Sequence, residues 1–468
     1  MRNTICRGVG VAVLAWVAMA TAVRANDDSP LRVDRRGCGD YTTIQAAIDA
    51  ARAGDEIAVA PGTYCESIDL LGKAIRLYSL AGADCTTIDG AGREHVVRCM
   101  NGEEPDTILE GFTITGGNAC DSSGGGLLTN GRPTVIRCTF NHNSARFGGA
   151  IAGRAGIAHC LFTDNDAFMG GALWRAGTAT DCTFTRNGAD MGGAINDVEE
   201  LARCTFIDNI DCVFEAGLVT DCTFRENQGG AALGNAEIVT NCTFIGNQDA
   251  GIVTRIDLYS TVTQCTFLNN GVGVRSGQGG VTTMANCIIW GSIDAAIQGP
   301  AIVTFSDIEG GWEGEGNIDV DPLFADGEGR LFPGSLCLDA GTNDPPDGLT
   351  PLDILGNPRP ADGNGDGIAV ADMCAYETPN PVQLLDVLID VVTDLGLPQR
   401  SNDCLLGKLQ AARKALENRS EANDLAASAQ LTSFISAVQA CRCTMIPPSD
   451  ADALVAAAQQ IIDLLEAE

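Results

Sequence analysis

The sequence predicts an all-β solenoid, a right-handed parallel β-helix with a helix over its first coil, followed by a small all-α domain of four helices. Three observations carry this. A Cys-x-Phe-x-x-Asn unit recurs along the middle of the chain, paired glycines precede a second short strand in several units, and the apolar period becomes helical after Pro381. The cysteines Cys138, Cys160, Cys182, Cys204, Cys222, Cys242, Cys265 and Cys287 stand 22, 22, 22, 18, 20, 23 and 22 residues apart. A fixed period near 20 residues means stacked units, each burying its apolar face against its neighbours.

Within a unit, Cys and Phe at i and i+2 share one strand face, and the residue before each Cys falls on the other. Phe140, Phe162, Phe184, Phe206, Phe224, Phe244 and Phe267 therefore point inward, with Ile289 ending the series. The opposite row (Arg137, His159, Asp181, Arg203, Asp221, Asn241, Gln264, Asn286) is polar and is expected to meet water. Asn143, Asn165, Asn187, Asn209, Asn227, Asn247 and Asn270 sit at a corner, where Asn and Gly tolerate a left-handed backbone and an Asn ladder can bond the coils above and below. A second strand follows pairs such as Gly148-Gly149, Gly170-Gly171 and Gly192-Gly193.

The flanking segments complete the domain map. Residues 1–25 have a basic start, an apolar stretch from Val9 to Ala20 and small residues before a cut, the pattern of a secretory signal. No later apolar run approaches the roughly 20 residues of a membrane span. The solenoid is expected over 31–318, opened by a helix whose Ile44, Ala47, Ile48 and Ala51 form one stripe, with strands at Glu56 to Ala60, Ala74 to Ser79 and Thr86 to Asp89. A closing module with an acidic Gly-rich loop spans 319–377 and should cap the last coil. Four apolar stripes in 381–468 give the helical domain, with Ser401 and Ser449 as expected N-caps.

Charge and cysteine content narrow the function. With 61 acidic against 29 basic residues the net charge is −32, or −35 once the leader's Arg2, Arg7 and Arg24 are removed. Such a surface repels nucleic acid, and calcium is its natural counterion. The cysteine row lacks metal-site spacing. Its members are either buried thiols or paired between neighbouring coils, since a coil spacing of about 4.8 Å lies within disulfide range. Outside the row, Cys38 with Cys65, Cys85 with Cys99, and Cys404 with Cys441 or Cys443 are candidate clips.

Several stretches resemble known families. Residues 43–79, TIQAAIDAARAGDEIAVAPGTYCESIDLLGKAIRLYS, resemble the opening of pectin-lyase-like β-helix proteins, which implies the fold. The GGAI and FxxN repeats are similar to those of bacterial polymorphic outer-membrane proteins, which are adhesins. Asp321-Pro322-Leu323-Phe324 and Gly356-Asn357-Pro358-Arg359 resemble the closing module of bacterial surface β-helix proteins of the choice-of-anchor Q type. Phe434-Ile435-Ser436-Ala437-Val438 resembles the FIMAH module, which implies ligand or surface attachment.

Candidate chemistry is sparse. Asp362, Asn364, Asp366 and the Ile368 carbonyl, with Asp372 one place early as the last carboxylate, follow a calcium-loop spacing and suggest a structural Ca2+. Polygalacturonase-type Gly-His-Gly and Arg-Ile-Lys motifs are absent, and of the three histidines, His95, His142 and His159, His159 lies in the polar outer row and His142 beside a turn, both read as ordinary solvated residues. A lyase would draw on Arg154 or Arg175 as base with Asp190 and Asp197, yet only short loops at 152–156 and 175–177 follow the adjacent strands and leave a flat wall. Trp174, Trp290 and Trp312 either stack on sugar rings or pack. The expected role is a secreted, extracellular or cell-surface protein that binds a polysaccharide or cell-envelope glycan without turnover. The competing role is a calcium-assisted lyase acting on acidic polysaccharide.

Overall fold

The computed structural model describes residues 29–467 apart from 256, 333, 365–366, 379–380, 417–420 and 443. The expected leader, Asp366 and Cys443 thus lie outside the described residues. The chain winds into a parallel solenoid. Helix α1 (Ile44–Ala50) opens it, capped by the Thr43 hydroxyl, which accepts from the Ala46 N–H. The Glu66 carboxylate accepts from the first helical amides, Ile44 and Gln45, at 2.9 and 3.0 Å. Those amides have no partner within the helix, so the carboxylate fixes α1 to the coil beneath it. Ile44, Ala47 and Ile48 are fully buried against the end of the core.

One ladder of twelve parallel strands carries the phenylalanines, from Gly62–Tyr64 to Asp307–Ile308. Phe140 pairs with Phe162, Phe162 with Phe184 and so on in strict register. The rings from Phe162 to Phe267 stack at centroid spacings of 4.7–4.8 Å, within 6° of parallel. The strand spacing dictates this, since identical residues in register repeat at the hydrogen-bonding distance between strands. Beside the rings runs the asparagine ladder. From Asn143 to Asn247 each Asn Nδ2 donates to the carbonyl of a phenylalanine or isoleucine in the coil below and to the Oδ1 of the next Asn, as Asn165 does to Phe140 O at 2.9 Å and Asn187 Oδ1 at 3.0 Å.

The residues before each cysteine do not lie on a strand face. Arg137, His159, Asp181, Arg203, Asp221, Asn241, Gln264 and Asn286 all adopt the left-handed conformation, with φ of 50–59°. They turn the chain into the Phe strand, and a second left-handed row (His142, Asp164, Arg186, Asp208, Glu226) turns it out. The row also fails to stay in water, because Asn241, Gln264 and Asn286 are fully buried.

What buries them is the segment 319–377. It turns back along the flank of the last coils, while Trp312 packs on the end of the core. Leu331, Leu338, Met373 and Tyr376 form a second apolar cluster with Ile288, on the outward face of the Phe ladder. Asn286 exchanges hydrogen bonds with the Thr342 backbone, and Arg359, wholly buried, bonds Glu377 at 2.8 Å, Asn241 at 2.9 Å and the Cys374 carbonyl at 3.0 Å. One guanidinium thus joins the module to the solenoid.

The described cysteines are free thiols, so the Cys38–Cys65, Cys85–Cys99 and Cys404–Cys441 clips are not formed. Cys99 faces the core whereas Cys85 is exposed. In the row each sulfur is spent on backbone: Cys160 Sγ accepts from the Cys138 N–H at 3.4 Å and donates to Ala158 O at 3.3 Å. The C-terminal helices α2 (Pro381–Asp394), α3 (Gln399–Leu416), α4 (Glu421–Cys441) and α5 (Pro448–Ala467) enclose their own core of Leu388, Leu409, Phe434, Leu454 and neighbours. Ser401 and Ser449 fall inside the first turns of α3 and α5, with Pro448 at the first position of α5, where a missing N–H costs nothing.

Phe184→Ala removes one ring from the middle of the column and should lower stability by about 3–5 kcal/mol, read from chemical denaturation. An unchanged midpoint would contradict the stacked core. A second expectation concerns pH. Asp307 is buried, and burial pushes its carboxyl up to about 6 despite the hydrogen bonds it accepts from Val320 N–H and Cys337 Sγ. Burial and the Glu377 charge push Asp372 up as well. The folded state therefore keeps a proton that the unfolded chain loses near 3.8, so this stabilisation is complete below that value and is lost as pH climbs through 6. The melting temperature should rise by a few degrees from pH 7 to pH 5, and Asp307→Asn should flatten that rise.

Candidate functional site

Paired glycines create a separate, smaller ladder of four strands. The strands Asn118–Ser123, Ser144–Phe147, Asp166–Met169 and Gly188–Met191 form it, and each of the last three is followed by a glycine at φ 62–65°. A Cβ on Gly170 would lie 2.1 Å from the Leu173 carbonyl oxygen, so the turn admits only glycine. The ladder ends at Met191. Between Cys204 and Cys222 the repeat shortens to 18 residues, and Asn209 leads almost directly into the strand Val213–Thr220. The solenoid therefore steps inward, leaving the edge strand Gly188–Met191 standing above the next coils.

At that step lies a cleft of about 260 Å³. Asp190, Met191 and Gly192 form its upper side, Val213, Phe214, Gly234 and Val253 its floor, and Asp211, Asp249, Arg255 and Arg275 its rim. Phe214, Gly234, Val253 and Arg275 are successive partners in one outward row of the sheet, so glycine opens space beside the Phe214 ring. The Arg255 guanidinium lies 4.2 Å from the centroid of that ring. Arg275 bonds both oxygens of Asp249, each at 2.9 Å.

A second hollow of about 390 Å³ adjoins it on the same strands, lined by Asp197, Glu199, Glu215, Asn235, Glu237, Leu258 and Tyr259. Asp197, Glu215 and Asn235 belong to a third left-handed row, which starts at Arg175 and has φ of 54–68°. Here the flat wall expected from short loops is found only in part. The strands Leu173–Thr180 and Ile195–Ala202 run through without a loop, but a turn before Tyr259 raises a side wall, and Tyr259 is 73% exposed.

The structure divides the expected catalytic residues. Arg175 faces Asp197 at 3.9 Å and lies 4.5 Å over the Trp174 ring, while Arg154 pairs with Glu199 at 3.0 Å. Both pairs are largely exposed. Asp190 belongs to the other hollow. Arg186 and Arg203 likewise bind Asp164 and Asp181 one coil below, and each guanidinium holds its partner carboxyl below the usual range. Of the tryptophans, Trp290 packs under the closing module, Trp312 on the core and Trp174 against Phe147 at 5.0 Å. Phe214, Arg255 and Tyr259 escaped sequence reasoning. The shortened interval before Cys222 was the signal that could have located the cleft.

For calcium, the Asp362 carboxylate accepts from the Gly367 N–H at 3.1 Å, and Asp339, outside the expected set, accepts from the Gly363 and Asn364 amides at 3.1 and 2.7 Å. Asp372 is buried and accepts from the Asp339 and Thr378 amides at 2.9 and 2.8 Å. Each oxygen of its carboxyl thus already meets a backbone donor, whereas Asp362 and Asn364 lie on the loop itself.

Residues 209–307, which include most of both hollows, match the family described as right handed beta helix region. No curated protein matches the chain.

Proposed function

We propose that this chain is a non-catalytic β-helix protein that binds a polysaccharide or cell-envelope glycan outside the cell through the outer face of coils 190–275. The single observation that carries the reading is the pair of adjoining hollows on a rigid sheet, offering an exposed Tyr259 and a floor at Phe214 among side chains that accept and donate hydrogen bonds. Aromatic surface beside convergent polar groups suits sugar rings, whose faces are apolar and whose edges carry hydroxyls. The lyase alternative has less support, because a base must be free to take a proton and both Arg154 and Arg175 already face carboxylates. The leader pattern of residues 1–25 supports export, and the helical domain serves as the attachment module. Calcium enters only as a structural ion of the loop at Asp362 and Asn364, with no part in ligand binding.

The test is incubation of the purified protein with a panel of immobilised and soluble glycans in the presence of calcium. Retention without growth of unsaturated-uronate absorbance is the expected outcome, and Tyr259→Ala should weaken retention at least several-fold. Turnover that disappears in Arg154→Ala or Arg175→Ala would replace binding by catalysis.

A further inference from the structure

Between residues 154 and 275 the charge pairing of the arginines is nearly complete, with one exception. Seven arginines lie between residues 154 and 275, and six of them are in ion pairs. Arg255 is the seventh. Among the described residues it has no carboxylate within ion-pair distance, although acidic residues outnumber basic ones by 61 to 29 in the chain. Its neighbours on these coils are all paired, whereas this one is held on the Phe214 ring at the rim of the cleft. Stacking on a ring occupies the face of the guanidinium and leaves its N–H edge available. A planar fork of donors fits the two oxygens of a carboxylate or sulfate.

A second unspent donor lies close by. Asn196 is 6% exposed and its Nδ2 has no hydrogen-bond partner. It is the register neighbour of Phe214 on the preceding coil, and it packs beside Gly192 of the cleft. Arg255 and Asn196 are thus donors left over after internal pairing, and a buried donor without a partner is costly to the fold. The acceptors at the same place are partly committed: Asp249 to Arg275, and Asp211 to the Gly230 amide.

Resting on the glycan-binding reading above, we infer that the cleft at the step is a subsite for an anionic substituent of a glycan, a carboxylate or a sulfate ester, received by Arg255. Asp190 on the opposite side accepts from hydroxyls of the same sugar. The net negative charge of the protein opposes such a ligand at long range. Ions confine that repulsion to about 8–10 Å at physiological salt, so recognition falls to the local fork.

The test uses the full chain and three probes in calorimetry and affinity electrophoresis: an oligogalacturonide, a sulfated galactosaminoglycan oligosaccharide, and a neutral oligoglucan. The protein should bind one of the two anionic probes and discriminate against the neutral one. Arg255→Ala should weaken that binding tenfold to a hundredfold, and Arg255→Lys, which keeps the charge without the fork, should recover only part of it. Arg255 sits on an exposed turn, so an unaltered melting curve will verify folding. Equal binding by wild type and Arg255→Ala, or tighter binding of the neutral probe, overturns the subsite and leaves the glycan-binding reading standing. Retention of none of the three probes, nor of any glycan in the wider panel, overturns both.

Discussion

The whole solenoid depends on like residues lying over like, and the asparagine ladder is where that constraint is strictest. Each rung is buried, and its amide is satisfied chiefly by the rung above and the carbonyl below. Asn143 takes the Gly117 N–H on Oδ1, while its own backbone and side-chain nitrogens donate to Asn165 Oδ1, at 3.1 and 3.2 Å. The pattern continues unbroken to Asn270. Slipping the register by one residue would turn every Phe outward and leave every amide unpaired, an error that a buried polar column makes far more costly than apolar packing alone could. The rings supply the burial, and the asparagines supply the uniqueness.

The corners follow from that ladder. A coil of about 22 residues that must present Cys, Phe and Asn inward has to turn within one residue, and a one-residue turn uses left-handed backbone. For an L-residue other than glycine this costs about 1–2 kcal/mol. The chain nevertheless places Arg, Asp, Glu and His there, because a left-handed corner throws the side chain clear of the stack and brings corners of neighbouring coils face to face. Arg186 over Asp164 and Arg203 over Asp181 are the result. The same geometry makes Arg175 and Asp197 resemble a catalytic pair when read along the chain. They are corner residues of adjacent coils, and their proximity is a property of the repeat.

This separates what could be read in the sequence from what could not. The Phe column, the Asn ladder, helix α1 and the four C-terminal helices are local or periodic, so spacing alone exposes them. The polar row before the cysteines was harder. From Arg137 to Asp221 its side chains do meet solvent at least in part, but Asn241, Gln264 and Asn286 are covered by residues more than fifty positions further on, through bonds to Thr342, Thr350, Leu352 and Arg359. A contact at that separation leaves no trace in a 22-residue period. The cleft lies between the two cases. Its position was written in the interval of 18 residues, but its chemistry was not, since Phe214 and Arg255 meet across two coils with no motif to join them.

A step in a rigid stack is also a sound place for recognition. Ordering flexible loops on binding costs roughly 0.5–1.5 kcal/mol for each immobilised side chain. In this cleft the floor is β-sheet locked by parallel pairing on both sides, and Arg275 and Arg255 are already held, one by Asp249 and the other by the Phe214 ring. Deleting four residues from one coil exposes such a surface without adding a loop. The repeated interior is untouched by this change, because the ladder from Asn187 through Asn209 to Asn227 passes directly beneath the step with its hydrogen bonds intact. Outer features of a β-helix can therefore vary coil by coil while the core column stays uniform, and that independence lets an otherwise repetitive wall carry one distinct site.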